Sequence, residues 1–141
     1  MNKDDLKRRT KQFALRVLKL VEAPPNSKSG RAIGGQLVRS GTSVGSNYRA
    51  ACRGRSRAEF IAKIGVVEEE ADESAFWLEL IIEHKLLKEP LVKALWLEAD
   101  ELTAIMAASR ISASRKAKQS LTTPRAPSLQ SAIGNRQSAI P

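Results

Sequence analysis

Apolar residues recur along this chain with the period of an α-helix, and the breaks in that period fall at proline, glycine and capping residues. Leu6, Phe13, Val17 and Leu20 share one stripe at helical spacing, and Asp4 and Asp5 favour a helix N-terminus just ahead of it. The pattern predicts a first helix from about Lys3 to Glu22. Pro24-Pro25-Asn26 ends it, because proline lacks an amide N–H and disfavours helix in the residue before it. A second helix is predicted from near Ser29 to about Arg53, with Ile33, Leu37, Ser40, Val44, Asn47 and Ala51 facing inward and Gly54 at its end. Ser56-Arg57-Ala58-Glu59 reads as a capping box, in which Ser56 and Glu59 satisfy each other's free backbone N–H groups. It opens a third helix reaching about Leu87, with Phe60, Ile64, Val67, Ala71, Leu78 and Ile82 on one face. Pro90 suits the first turn of a fourth, where Leu91, Leu95, Leu102 and Ile105 form the stripe to near Arg110. No stretch alternates with period two between turn signals, so no strands are predicted. The expectation is an all-α protein: an antiparallel four-helix bundle, up-down-up-down, over residues 1–111.

Three of these helices carry apolar residues away from the expected core stripe. They are Ala62, Val66, Phe76, Trp77 and Leu80 on the third, Val92 and Trp96 on the fourth, and Leu15 and Leu18 on the first. Exposed apolar patches mark interfaces, so self-association is expected, with Phe76, Trp77, Leu80 and Trp96 at the oligomer interface. Buried polar groups need partners, so Ser40 and Asn47 are expected to hydrogen-bond across to another helix. Residues 112–141 differ in kind. They are mostly Ser, Ala, Thr, Gln, Arg and Pro without one acidic residue, and Gln130-Ser131-Ala132-Ile133 recurs as Gln137-Ser138-Ala139-Ile140. Such a composition buries too little apolar surface to offset its ordering entropy, and a disordered basic tail is expected.

Charge changes the picture more than composition does. The 141 residues suit one domain, and 24 Lys+Arg against 15 Asp+Glu leave a net charge of +9, which favours a polyanionic partner. Residues 1–57 balance to +11, residues 58–109 to −8, and residues 110–141 to +6. Arg49, Arg53, Arg55 and Arg57 cluster around the end of the second helix, and Lys7, Arg8, Lys11 and Lys19 lie on the first. Arg49 and Arg53 are one turn apart on one face. These eight residues are the candidate nucleic-acid-binding set. At 4% aromatic residues, base stacking is scarce, so contact with RNA or DNA would be directed at the phosphate backbone. The competing reading is a protein-binding scaffold in which one subunit's basic half pairs with the next subunit's acidic half.

Catalytic chemistry finds little support. His84 is the single histidine and has Ile81 three residues before it, so the Glu-x-x-His pair of a di-iron bundle is missing, as are zinc-hydrolase arrangements. Cys52 reads as a small buried helix residue. Gly30-Arg31-Ala32-Ile33-Gly34-Gly35-Gln36 lacks the ending of a phosphate loop and follows no strand. At about 100° per residue, the carboxylates of Glu68-Glu69-Glu70-Ala71-Asp72-Glu73 point all round a helix, which suits solvated faces and interhelix pairing better than a metal. No cofactor or metal is expected. The N-terminal residues lack the apolar core of a signal peptide, and no apolar run approaches the roughly 20 residues that span a bilayer, so a soluble, cytoplasmic protein without membrane contact is expected.

One segment carries a resemblance. Arg39-Ser40-Gly41-Thr42-Ser43-Val44-Gly45-Ser46-Asn47-Tyr48-Arg49 runs into Arg53-Gly54-Arg55-Ser56-Arg57-Ala58-Glu59-Phe60, followed by the acidic run and Phe76-Trp77-Leu78-Glu79-Leu80. The series resembles the bacterial four helix bundle protein family, which includes proteins encoded in intervening sequences of 23S rRNA genes and the accessory protein of diversity-generating retroelements. The similarity covers roughly residues 5–110. It implies a four-helix protomer, a ring-like homopentamer and no enzymatic activity. For the retroelement branch it implies a basic surface that binds nucleic acid and a reverse transcriptase. The family pattern maps onto Arg39, Ser40, Ser43 and Asn47, then onto Ser56, Glu59 and Phe60 with Arg55 and Arg57 flanking Ser56. Where many members have Glu-Gly after the Asn segment, this chain reads Ala50-Ala51-Cys52.

Overall fold

A computed structural model describes residues 1–122, which form α1 (Lys3–Leu20), α2 (Lys28–Cys52), α3 (Arg57–Glu83) and α4 (Glu89–Thr122). The buried positions of every helix step alternately by three and four residues: Leu6, Thr10, Phe13 and Val17 on α1, and Val92, Leu95, Ala99, Leu102 and Met106 on α4. That heptad-like spacing keeps one seam of each helix turned toward its neighbours over many turns, as left-handed bundle packing requires. α1 packs on α2, α2 on α3, α3 on α4, and α4 closes against α1. The pairing is antiparallel throughout. Early Ser29 meets late His84 between α2 and α3, and late Arg110 meets early Glu68 between α4 and α3.

The helix ends follow from capping. Asn2 and Asp5 form a reciprocal box at α1: the Asp5 N–H donates to Asn2 Oδ1 at 2.8 Å and the Asn2 N–H to Asp5 Oδ2 at 3.2 Å. Ser27 accepts from the Gly30 N–H at 3.0 Å and opens α2. At α3 the expected box is half present. Ser56 Oγ accepts from the Glu59 N–H at 3.1 Å, but the Glu59 carboxylate reaches one residue further back and accepts from the Arg55 N–H at 2.7 Å. α3 stops at Glu83 rather than near Leu87, because Lys85 takes a left-handed conformation (φ 57°) and the Leu86 and Lys85 N–H groups fold back onto the Ile81 and Ile82 carbonyls.

Two further expectations are corrected. Leu95 and Leu102 lie in the α4 core as expected, but the ends of the stripe shift by one residue: Val92 is fully buried whereas Leu91 is 63% exposed, and Met106 lies deeper than Ile105. Likewise Ile81 lies deeper than Ile82 on α3. The heptad step from Leu95 back to Val92 explains the first shift, since Leu91 would break the three-four alternation. The fourth helix also does not end near Arg110; it continues through Thr122, so residues 112–122 are helix and not disordered tail. Ala113, Arg115, Lys116, Ala117, Lys118 and Gln119 are strong helix formers, and no glycine or proline intervenes before Pro124. Extending a packed helix needs no new nucleus, so little burial is required. The remainder of the expected tail, with its direct repeat, lies outside the described residues.

Candidate nucleic-acid interface

The Arg39-to-Asn47 segment is a packing device. Arg39 reaches across to α3, with Nη1 3.3 Å from Glu70 and Nη2 bonded to Glu73. The bond to Glu73 holds the guanidinium above its ordinary pKa. Ser40 is fully buried and accepts from Ser74 Oγ of α3 at 2.9 Å, the cross-helix bond expected of it. Asn47 departs from that expectation: it is half-buried, and its Nδ2 donates to Ser43 O (2.9 Å) and Ser43 Oγ (2.7 Å) within its own helix. On the other side of α2, two glycines let α1 approach. A Cβ at Gly41 would sit 2.8 Å from Val17 Cγ2, and one at Gly45 would sit 3.3 Å from the Thr10 carbonyl oxygen.

Other cations on the flanks are engaged in the same way. Arg9 of α1 donates to Glu98 of α4 at 2.6 and 2.9 Å and lies 3.0 Å from Glu101. Arg110 donates to Glu68 at 2.7 Å. Both guanidinium pKa values are raised, chiefly by the hydrogen bonds to Glu98 and Glu68 respectively. The acidic run thus divides as its helical spacing requires: Glu68 faces α4, Glu70 and Glu73 face α2, Ala71 enters the core, and Glu69 and Asp72 point outward.

The end of the bundle is different. Up-down order brings the start of α1, the end of α2, the start of α3 and the late turns of α4 to one place. Between them opens a cleft of about 580 Å³ whose lining includes Lys3, Arg55, Arg57, Phe60 and Lys116. Lys3 Nζ stands 5.0 Å from the centre of the Phe60 ring. A smaller groove of about 260 Å³ runs between α1 and α2, where Lys7, Lys11 and Arg49 converge beside Thr42 and Ser46. Arg49, Arg53, Arg55 and Arg57 are all exposed, and among the described residues none of them has a carboxylate within 4.0 Å.

The expected set therefore splits. Arg53, Arg55 and Arg57 stand at this end, and Lys7, Lys11 and Arg49 line the groove that leads from it toward the middle of α1, Lys7 standing 4.0 Å from Asp4 of its own helix. Arg8 pairs with Asp5, also within α1. Lys19 lies about two turns beyond Lys11 on α1, beside Leu20, Ala23 and Leu87 at the opposite end. Lys3 and Lys116 join the cleft although sequence reasoning passed them over. Up-down connectivity already places Lys3 there; Lys116 was hidden inside the expected tail. Beneath the surface, Tyr48 is buried next to the half-buried Cys52, and burial first, then that contact, pushes its phenol above the ordinary range.

The expected interface residues occupy two environments. Phe76 is 49% exposed on the outer side of α3 and meets Trp77 edge-on, with ring centres 5.1 Å apart. Leu80 is half-buried. Trp77 and Trp96 are half-buried against their own core, and Trp96 Nε1 donates to Glu79 at 3.1 Å. Val92, expected off the stripe, is core. Among the described residues no group of three His, Cys, Asp or Glu side chains could hold a metal ion, and no helix is long and apolar enough to cross a membrane.

Residues 3–108 match the family model described as "23S rRNA-intervening sequence protein". A solved structure of a protein of unknown function from the S23 ribosomal protein family of Bacteroides thetaiotaomicron VPI-5482 superposes with a TM-score of 0.72 at 29% sequence identity, covering 78% of this chain and 98% of that one. Among curated proteins no match was found. The family match takes in all of α1, α2 and α3 and most of α4, and the shared fold agrees with it: the chain belongs to the 23S rRNA-intervening sequence protein family.

Proposed function

We propose that the protein is a non-enzymatic, self-associating helical bundle that binds RNA or DNA through phosphates, with little sequence preference. The observation that carries this reading is the gathering at one end of cations that no other helix neutralises, while Arg9, Arg39 and Arg110 are held by carboxylates across the bundle. Lys7, Lys11 and Arg49 line a groove and Arg55 and Arg57 a cleft, so a phosphate backbone meets several cations at once. Self-association through the outer side of α3 around Phe76 and Leu80 would repeat the basic end in each copy; five copies is the number the family resemblance implies. The scaffold alternative is less well supported, because much of the acidic half is occupied within the protomer.

The test is binding of the full chain to labelled RNA and DNA oligonucleotides of unrelated sequence, with light scattering on the same sample. Comparable affinity across sequences, from a species larger than a monomer, is expected. A folded protein that binds no oligonucleotide at low salt would overturn the reading in favour of a scaffold.

A further inference from the structure

The terminal cleft holds more charge than a passing strand needs. Lys3, Arg55, Arg57 and Lys116 line one space of about 580 Å³, and among the described residues none of the four is in an ion pair. A phosphodiester carries a single negative charge, whereas a phosphate monoester carries about −1.5 to −2 at pH 7 and offers three strong acceptor oxygens. The volume lies within the roughly 300–1,000 Å³ of small-molecule sites. Two of the cations are arginines on a fixed piece of backbone: the Arg55 N–H is held by the Glu59 carboxylate, and Ser56 between them caps α3. Arginine presents planar paired donors suited to phosphate oxygens. Phe60 adds an apolar surface beneath Lys3. Ser112 and Lys116 of α4 line the cleft from beyond residue 108, where the family match ends. The α1–α2 groove adjoins it, since Arg49 lines the groove and Ala51 and Cys52 line the cleft within the last turn of α2.

We propose that this cleft receives the phosphate monoester at the end of a nucleic-acid strand, the following phosphodiesters lying along the groove at Lys7, Lys11 and Arg49. The inference rests on the nucleic-acid reading above and adds what part of the strand is recognised.

The experiment compares one single-stranded oligonucleotide bearing a 5′-phosphate, a 3′-phosphate or hydroxyls at both ends, each binding the full chain in a fluorescence anisotropy titration. One phosphorylated form is expected to bind about tenfold tighter than the hydroxyl form or better, since the added charge and acceptor oxygens meet charge-assisted donors in the cleft. The ratio should fall toward one in the Lys3→Gln/Lys116→Gln variant, whose fold is checked by circular dichroism. It should survive in Arg49→Gln, which weakens both forms together. Equal, salt-dependent binding of all three oligonucleotides overturns the end-recognition inference and leaves the nucleic-acid reading standing; no binding of any form overturns both. Competition by inorganic phosphate or a free nucleoside monophosphate at oligonucleotide concentrations assigns the cleft to small phosphates instead, and overturns the strand-end assignment.

Discussion

Arg39 and Arg49 both project from α2, yet the middle of the bundle and its basic end use them differently. Arg39 faces α3, where helical spacing presents Glu70 and Glu73, and its charge is consumed inside the protomer. Arg49, further along the same helix, faces a groove whose other cations are Lys7 and Lys11. The same contrast separates Arg9 and Arg110 from Arg53, Arg55 and Arg57. A net charge of +9 does not reveal this division. Its location depends on which turns of α2 and α4 lie opposite the acidic run of α3 and which turn of α1 lies opposite Glu98 and Glu101 of α4, and that is set by the antiparallel register. Charges that face a carboxylate on the neighbouring helix hold the helices in place, and those that face the groove and the terminal cleft remain available to a ligand.

The largest expected effect strikes the middle. Leu102→Ala removes a fully buried side chain and should cost about 2–5 kcal/mol in urea unfolding, whereas Leu91→Ala, at an exposed position on the same helix, should stay within about 0.5 kcal/mol. Equal losses would break the assigned register of α4.

Arg9→Ala comes next. It strands the partly buried Glu98 and should cost about 1–3 kcal/mol, while Arg53→Ala should leave stability within about 0.5 kcal/mol. A similar loss for both would erase the distinction between engaged and free cations.

Ser56→Ala should cost about 0.5–2 kcal/mol through loss of the α3 cap, and it sharpens the comparison because the cap fixes the backbone between two free arginines. An unchanged denaturation midpoint would remove the cap from the account.

The smallest effect, absent at neutral pH, concerns Tyr48. Its folded-state phenol keeps its proton above the ordinary value of about 10, so the native state binds more protons there than the unfolded chain does. Stability present below pH about 10 is therefore lost as the pH rises above it. Tyr48→Phe should show a shallower alkaline loss than the unsubstituted chain; identical alkaline profiles would contradict the buried, protonated phenol.

Much of the fold was legible because periodicity and punctuation agree on it. Leu6, Phe13 and Val17 of α1, Leu37, Ser40, Val44 and Ala51 of α2, the proline stop after α1 and the Ser56 cap all stand where the sequence puts them, whereas Gly34 and Tyr48 are buried in place of the expected Ile33 and Asn47. The α4 register was not legible, since Leu91 and Val92 are both apolar and only the three-four alternation with Ala99 and Met106 separates them. The continuation past Arg110 is not legible from burial alone, because Ala, Lys and Arg extend a helix that is already anchored. At the candidate site, the arginine cluster was visible as a run in sequence. Its separation from Lys19, and its company with Lys3 and Lys116, depend on which helix ends share a pole. The Arg39, Ser40, Ser43 and Asn47 pattern is visible as a motif, but that Arg39 and Ser40 tie α2 to α3 while Asn47 bonds back to Ser43 depends on the positions of Glu73 and Ser74.

The most direct test of the central claim is the salt dependence of duplex DNA binding by two charge variants of the full chain. Reversing Arg49, Arg53, Arg55 and Arg57 to Glu should weaken binding on all sequences alike and flatten the plot of log affinity against log salt by about 0.9 for each phosphate that is no longer neutralised. Arg39→Gln, which removes an engaged cation, should leave that slope unchanged. A slope that is the same in the four-fold variant, or one that falls equally in Arg39→Gln, would contradict the account.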